Sequence, residues 1–502
     1  MAQMSSGLDL DALRRDGEEF QSAYEEAWYR HGAGLSDGLD LAPLYERHAD
    51  LFEQATVRPL VEAAGNGGDG DRARSIRALG RFAADGLIGR ETREATEALA
   101  QAESAATITL DGAPVAWRAA AALIANEPDA DRRRAIDDLR LQAQDRELNP
   151  LHAAIWERAH AVAPELGAAS YRDLYERLTG VDFDGLADQC RRLLAETEEV
   201  YERSMDAMLR AQVGRGLGDA GHADLPRVFR AAAFDEHFRA ERMVPSLAQT
   251  LDGLGIDLHG QSNVVLDIEA RPRKSPRAFC APVRVPQRVY LVVSPIGGVD
   301  DYRALFHEAG HAEHFAGASP ALPFEFRYLG DNAITECYAF LFEGLVHDPA
   351  WLERVLGRRD LDDYRRQTAT LRLYFMRRYS AKLEYELGFH GPGALDGQAD
   401  RYEALLTYAL RIPWPESRWL SDIDEGFYAV NYLRAWSLEA SLREHLRERF
   451  GTRWFTERRA GGFLRELFAE GQRYGAEDLA RELGLPRPDL ALLVAEAHEQ
   501  LA

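Results

Sequence analysis

The stretch Asp300-Asp301-Tyr302-Arg303-Ala304-Leu305-Phe306-His307-Glu308-Ala309-Gly310-His311-Ala312-Glu313-His314-Phe315 decides how this chain is read. Acids open it, apolar residues return at helical spacing, and His-Glu-x-x-His lies inside it. On an α-helix, residues four apart sit one above the other, so the imidazoles of His307 and His311 can reach one ion. Glu308 lies beside them, placed to take a proton from a water that the ion activates. With 14 histidines in 502 residues, the motif arises by chance in about 3% of chains of such composition. The competing reading is an exposed helix that happens to carry two histidines.

A catalytic zinc takes three protein ligands and leaves a position for water. No His-x-x-Gly-x-x-His continuation follows, so the third ligand must come from elsewhere. Glu325, Glu336 and Glu343 all lie downstream, and position alone does not choose among them. Context favours Glu336, because 332–345 reads as a second helix that can lie across the first. Glu343, seven residues on, shares its face and suits a hydrogen bond that orients a ligand; a solvated surface acid is its plain alternative. His314 reads as helix packing or as a group supporting the ligands from behind, not as a ligand, and Cys337 as a buried filler.

Upstream of the motif, 264–270 and 288–293 are rich in β-branched residues and read as strands, separated by a proline-bearing loop. Elsewhere helical periodicity dominates, over 11–30, 71–105, 129–147, 183–212 and 361–387. Gly214-Arg215-Gly216-Leu217-Gly218 has no strand before it and reads as a connector. No internal repeat or low-complexity tract interrupts the pattern. A mainly α protein is expected, with a small β-sheet beside the zinc-binding helix.

Composition narrows the function. Acids outnumber bases 83 to 60, a net charge of -23, a field that repels phosphate backbones and anionic lipid. Neither nucleic acid nor a membrane is an expected partner. Only two lysines occur, Lys274 and Lys382, and neither follows a glycine, so there is no P-loop. The three cysteines are far apart and form neither a disulfide framework nor a thiolate zinc site. The first ten residues carry no basic segment followed by an apolar run, and a cytoplasmic location is expected. Nothing in the sequence sets the oligomeric state.

The run Val265-Leu266-Asp267-Ile268-Glu269-Ala270-Arg271-Pro272-Arg273-Lys274-Ser275-Pro276-Arg277-Ala278-Phe279-Cys280, followed by a strand and then the histidine motif, resembles the thimet oligopeptidase / oligoendopeptidase F family. In that family a glutamate about twenty-five residues past the second histidine completes the zinc site. Ile334-Thr335-Glu336-Cys337-Tyr338-Ala339-Phe340-Leu341-Phe342-Glu343 stands there with both acids in register. Leu166-Gly167-Ala168-Ala169-Ser170-Tyr171 is similar to a further element of the family. The likeness covers roughly 160–440 and is tightest over 265–345. It implies a two-lobed helical metallopeptidase with a deep central channel, an N-terminal helical lobe over 1–200 and a catalytic lobe over 201–502.

The chain departs from the family near its end. A histidine followed by a glycine-tyrosine segment would bind substrate and stabilise the oxyanion there. This sequence has Asp422, then Gly426-Phe427-Tyr428-Ala429-Val430-Asn431-Tyr432-Leu433-Arg434-Ala435-Trp436. Tyr428 and Tyr432 are four apart and share a helix face. A phenol, or the Arg434 guanidinium, aimed at the scissile carbonyl oxygen would stabilise developing charge. Arg434 could instead clamp a substrate carboxylate. The plain alternative is an aromatic core stripe. The resemblance also gives the strand 288–293 a role as an edge that pairs with substrate backbone through Tyr290, Leu291 and Val292.

The expected activity is therefore hydrolysis of short peptides by a zinc metallopeptidase with one zinc per chain. His307, His311 and Glu336 are its ligands and Glu308 its acid–base. Two alternatives remain open. One is a zinc enzyme of the same fold acting on a peptide-like metabolite or other amide. The other is a non-catalytic peptide-binding protein, for which Glu308 would have no use.

Overall fold

The computed structural model describes residues 9–393 and 395–502. Helices carry most of the chain, and the strands of the described residues form two small sheets, as the mainly α reading expects. No helix among the described residues is long and apolar enough to cross a membrane.

The chain divides into two compact units. One comprises Met1–Ala83, Ala232–Tyr364 and Arg434–Leu492, the other Ala84–Ala231, Arg365–Leu433 and Leu493–Ala502. A single boundary near residue 200 does not describe this division. The N-terminal helix Leu10–Gly32 belongs with the histidine motif, because Tyr29 and Ala33 bury themselves against Ala281, Val283 and Val292. The cut after Ala83 falls inside the continuous helix Asp71–Ala105. Apolar faces seek partners irrespective of chain order, and no linker composition marks these crossings.

Most helices form where periodicity places them. Leu10–Gly32 starts at Asp9, whose carboxylate accepts from the N–H groups of Asp11 and Ala12 at 3.0 Å each. The segment expected as one helix over 183–212 is two, Phe183–Glu196 and Glu198–Val213. Between them Thr197 turns its hydroxyl back to the Leu193 carbonyl at 2.7 Å and accepts from Arg377 at 2.8 Å. Such back-bonding competes with the helical ladder.

In the second unit β1 (Thr107–Leu110) and β2 (Ala113–Ala116) form an antiparallel hairpin that periodicity does not reveal. Asp111 and Gly112 make its two-residue turn with φ of 53° and 80°, the mirror-image turn that Asp-Gly favours. The other sheet, in the first unit, contains β3 (Val264–Asp267), β4 (Phe279–Arg284) and β5 (Arg288–Val292). Its order is β3-β5-β4, with β3 parallel and β4 antiparallel to β5.

This order corrects the edge-strand reading. β5 is the central strand, hydrogen-bonded on both sides, so it has no free edge for a substrate. Leu291 and Val292 are buried, and Tyr290 stacks on Tyr29 with ring centroids 3.7 Å apart. Leu291 and Val292 are core residues, and the partly buried Tyr290 packs against that core. β4, one of the two outer strands, lies inside the segment that its prolines mark as loop. Pro282 lacks an N–H, and an outer strand tolerates that loss.

Candidate metal centre

The histidine helix runs from Val299 to Gly317 and the glutamate helix from Asn332 to Leu345. They cross closely because residue 310 is glycine. A Cβ there would lie 2.6 Å from Ala339 Cα and 2.6 Å from the Tyr338 carbonyl oxygen, both backbone atoms. The motif's unspecified position is therefore a contact point, and the crossing brings Glu336 to the two histidines. Gly310→Ala should separate the helices. We expect a destabilisation of about 1–3 kcal/mol together with weakened metal binding, measured by thermal unfolding and metal content.

At the crossing, Glu336 Oε2 lies 3.4 Å from His307 Nε2 and 3.7 Å from His311 Nε2. The three ligand atoms lie within 4.8 Å of one another. A tetrahedron with metal bonds of 2.0–2.1 Å has edges of about 3.3–3.4 Å, so these two separations are near what a bound ion requires. Both imidazoles are oriented from behind. His307 Nδ1 meets Glu343 Oε2 at 3.0 Å and His311 Nδ1 meets Thr335 Oγ1 at 2.7 Å. When each Nδ1 carries the proton, each Nε2 presents its lone pair toward Glu336. Arg303 in turn holds Glu343 through two bonds to Oε1 of 3.0 and 2.6 Å.

The electrostatics fit a cation. Burial opposes charge on His307, but Glu336 and Glu343 outweigh it and push its imidazole up to about 10. Burial draws His311 down to about 4, a neutral ring ready to ligate. Glu343 stays ionised despite burial because Arg303 and His307 hold it well below the usual carboxylate range. The pocket thus stabilises a proton where it would stabilise a metal ion, and the His₂Glu donor set suits a transition metal.

Glu308, next to His307 on the same helix, is tied to the sheet. Its Oε2 accepts the backbone N–H of Cys280, on β4, at 2.9 Å. That bond turns the Cys280 N–H away from β5, toward the outward edge of β4. Burial pushes Glu308 up to about 7, near the range in which an acid–base group works at neutral pH.

Other acids and bases read from the sequence lie elsewhere. Glu325 is fully buried against Arg14, at 2.7 Å, and the Ser75 hydroxyl. His314 is buried among Phe315, Tyr338 and Phe468, as helix packing requires. Asp422 is buried and bonds the guanidinium of Arg378 and the hydroxyl of Tyr402.

Arg434 is the clearest correction. It is 5% exposed and pairs with two carboxylates, Asp331 at 2.9 and 2.6 Å and Glu477 at 2.9 and 2.5 Å. Its Nε and both terminal nitrogens are engaged, so it neither clamps a substrate carboxylate nor serves an oxyanion. Asp331 is the N-cap of the glutamate helix, which makes Arg434 a support for that helix. Arg434→Met should destabilise the fold by about 1–3 kcal/mol, because the half-buried Asp331 and Glu477 lose their charged partner. Any rate loss should be equal for free-acid and C-terminally amidated peptides.

Tyr428 and Tyr432 stand half-buried on the helix Tyr428–Phe450, in the second unit. Their rings meet edge to face at 5.0 Å, and Tyr379 packs on Tyr432 at 5.2 Å. Residues that sequence reasoning overlooks are Thr335, Arg303 and the Cys280 backbone. Arg303 had a signal, four residues before His307 on the same helix face; the other two had none.

No protein-family profile and no curated protein matches the chain. Solved structures do. One is PZ peptidase A with an inhibitor, 14% identical, with a TM-score of 0.66 over 99% of this chain and 98% of the other. A second, assigned as an oligoendopeptidase F, is 15% identical, with a TM-score of 0.66 over 99% of this chain and 93% of the other. The chain therefore has the fold of the oligoendopeptidase F-like metallopeptidases. At these identities the likeness is one of fold, and the His-His-Glu cluster is this chain's own.

Proposed function

We propose that this protein is a zinc-dependent oligopeptidase that hydrolyses peptide bonds in short peptides. The observation that carries the reading is the convergence of His307, His311 and Glu336 beside a half-buried, anchored Glu308. Zinc held by the first three would polarise a substrate carbonyl and acidify a water molecule. Glu308 then has two tasks. Cys280 fixes Oε2, so Oε1 is the oxygen that takes the proton from the attacking water and returns it to the leaving amine. Glu343 and Thr335 keep the two imidazoles turned toward the ion. An extended peptide would lie along the outer edge of β4, where the substrate's backbone comes close to Glu308.

Tyr428 is our first choice for a donor to the carbonyl oxygen as it gains charge, with Tyr432 second. A preorganised donor of this kind contributes about 3 kcal/mol in the transition state. Tyr428→Phe should lower kcat by about 10²-fold with little change in KM. An unchanged kcat would remove Tyr428 from the mechanism.

Metal analysis of the purified protein, with mass spectrometry of a digested peptide library, tests the whole reading. About one zinc per chain and internal cleavage of short peptides are expected. Metal binding with cleavage of small amides only would point to a peptide-like metabolite as substrate. Peptide binding without turnover would leave a binding protein.

A further inference from the structure

The second unit contains a cavity of about 180 Å3 that the catalytic reading does not use. A single water needs roughly 10–15 Å3 on this measure, so the space admits a group of several atoms. Two guanidiniums line it, Arg140 and Arg418, together with His152 and Gln144. Arg140 lies over the Trp117 ring, 4.6 Å from its centroid. Its Nε is buried with no hydrogen-bond partner.

Neither arginine pairs with a carboxylate among the described residues. Arg418 touches His222 Nε2 at 2.9 Å, and His222 Nδ1 is taken by Asp137 at 2.8 Å. One acid does reach the cavity wall, Glu103, but Arg118 binds it at 2.9 Å. Burial and the like charge of Arg418 hold the Arg140 guanidinium below its ordinary value, so the two cations oppose each other. Two arginines thus share one cavity with neither paired to a carboxylate. An anion between them would relieve the repulsion and satisfy the buried donor.

We infer that this cavity binds a small oxyanion, the phosphate or carboxylate group of a metabolite, between Arg140 and Arg418. Guanidinium forks match both groups in a bidentate manner. His152 and Gln144 can supply further hydrogen bonds from the wall. A halide would leave most of the volume empty.

Calorimetric titration and thermal unfolding of the full chain test this, with inorganic phosphate in one arm and malonate in another. Sodium chloride at matched ionic strength is the reference. One or both oxyanions should bind at a single site and raise the unfolding midpoint above the chloride value; the arm that does so identifies the group. Arg418→Met should weaken binding by about tenfold or more. Glu103→Gln removes a negative charge from the wall and should tighten binding severalfold. No oxyanion binding at concentrations on the order of 10 mM, or an effect matched by chloride, overturns the inference. So does an unchanged affinity in Arg418→Met. Should that variant fail to fold, Glu103→Gln decides alone, and an affinity that is unchanged or weaker overturns it.

Discussion

Glu308→Gln should keep the fold and the metal yet reduce peptide hydrolysis by about 10²–10⁴-fold. Glutamine preserves the shape and can still accept the Cys280 N–H through its amide oxygen, so the anchor seen at 2.9 Å survives. What it loses is the ability to accept and return a proton. In the proposed mechanism one carboxylate serves both halves of the reaction, so the loss belongs near the upper end of that range. An unchanged unfolding midpoint and zinc content, with turnover nearly abolished, is the expected pattern. A variant retaining more than about a tenth of the wild-type rate would mean that another group acts as base.

Replacing His307, His311 or Glu336 by alanine should strip the ion and with it the activity. Losing an outer hydrogen-bond partner alone weakens metal affinity by about 10–100-fold; losing one of three direct ligands removes more. The remaining groups cannot compensate. Glu343 and Arg303 are committed to each other at 2.6 Å, and Thr335 to His311 at 2.7 Å. Dialysis against a chelator followed by metal analysis reads the result directly. Removing the metal from the wild-type protein should also lower its unfolding midpoint. An ion at a thousandfold its dissociation constant contributes about 4 kcal/mol to the folded state. A wild-type protein without a transition metal, and unable to take one up, would sink the mechanism.

The candidate metal site was legible because its chemistry is local. His307 and His311 need only one turn of helix between them, and the residues of that turn are consecutive in the chain. Glu336 required a second helix, which periodicity marked, and a guess that the two would cross. Gly310 carried the information that they do so closely, since only a missing Cβ lets the backbone at Tyr338 and Ala339 approach. It reads in the sequence as an unspecified position of the motif.

The strands show the opposite case. Residues 288–293 are recognisably β, but whether a strand is central or outer depends on what pairs with it. β4 contains Pro282 and lies between prolines, so propensity conceals it, yet its presence makes β5 central. Arg434 failed for a similar reason. Its place beside two tyrosines suggested a substrate contact, while Asp331 and Glu477, 103 and 43 residues away in sequence, take up its donors.

By itself the sequence determined the helical class, the two histidines on one helix face, Glu308 beside them and the helix that carries Glu336. Each follows from a period of 3.6 residues and from side chains a few positions apart. Only the tertiary structure decided which acid meets the histidines, which strand is central, where Arg434 spends its charge and how the segments divide into two units. Those outcomes depend on which distant groups come together. Burial selects them by pairing faces and charges across hundreds of residues, and no local pattern records the choice.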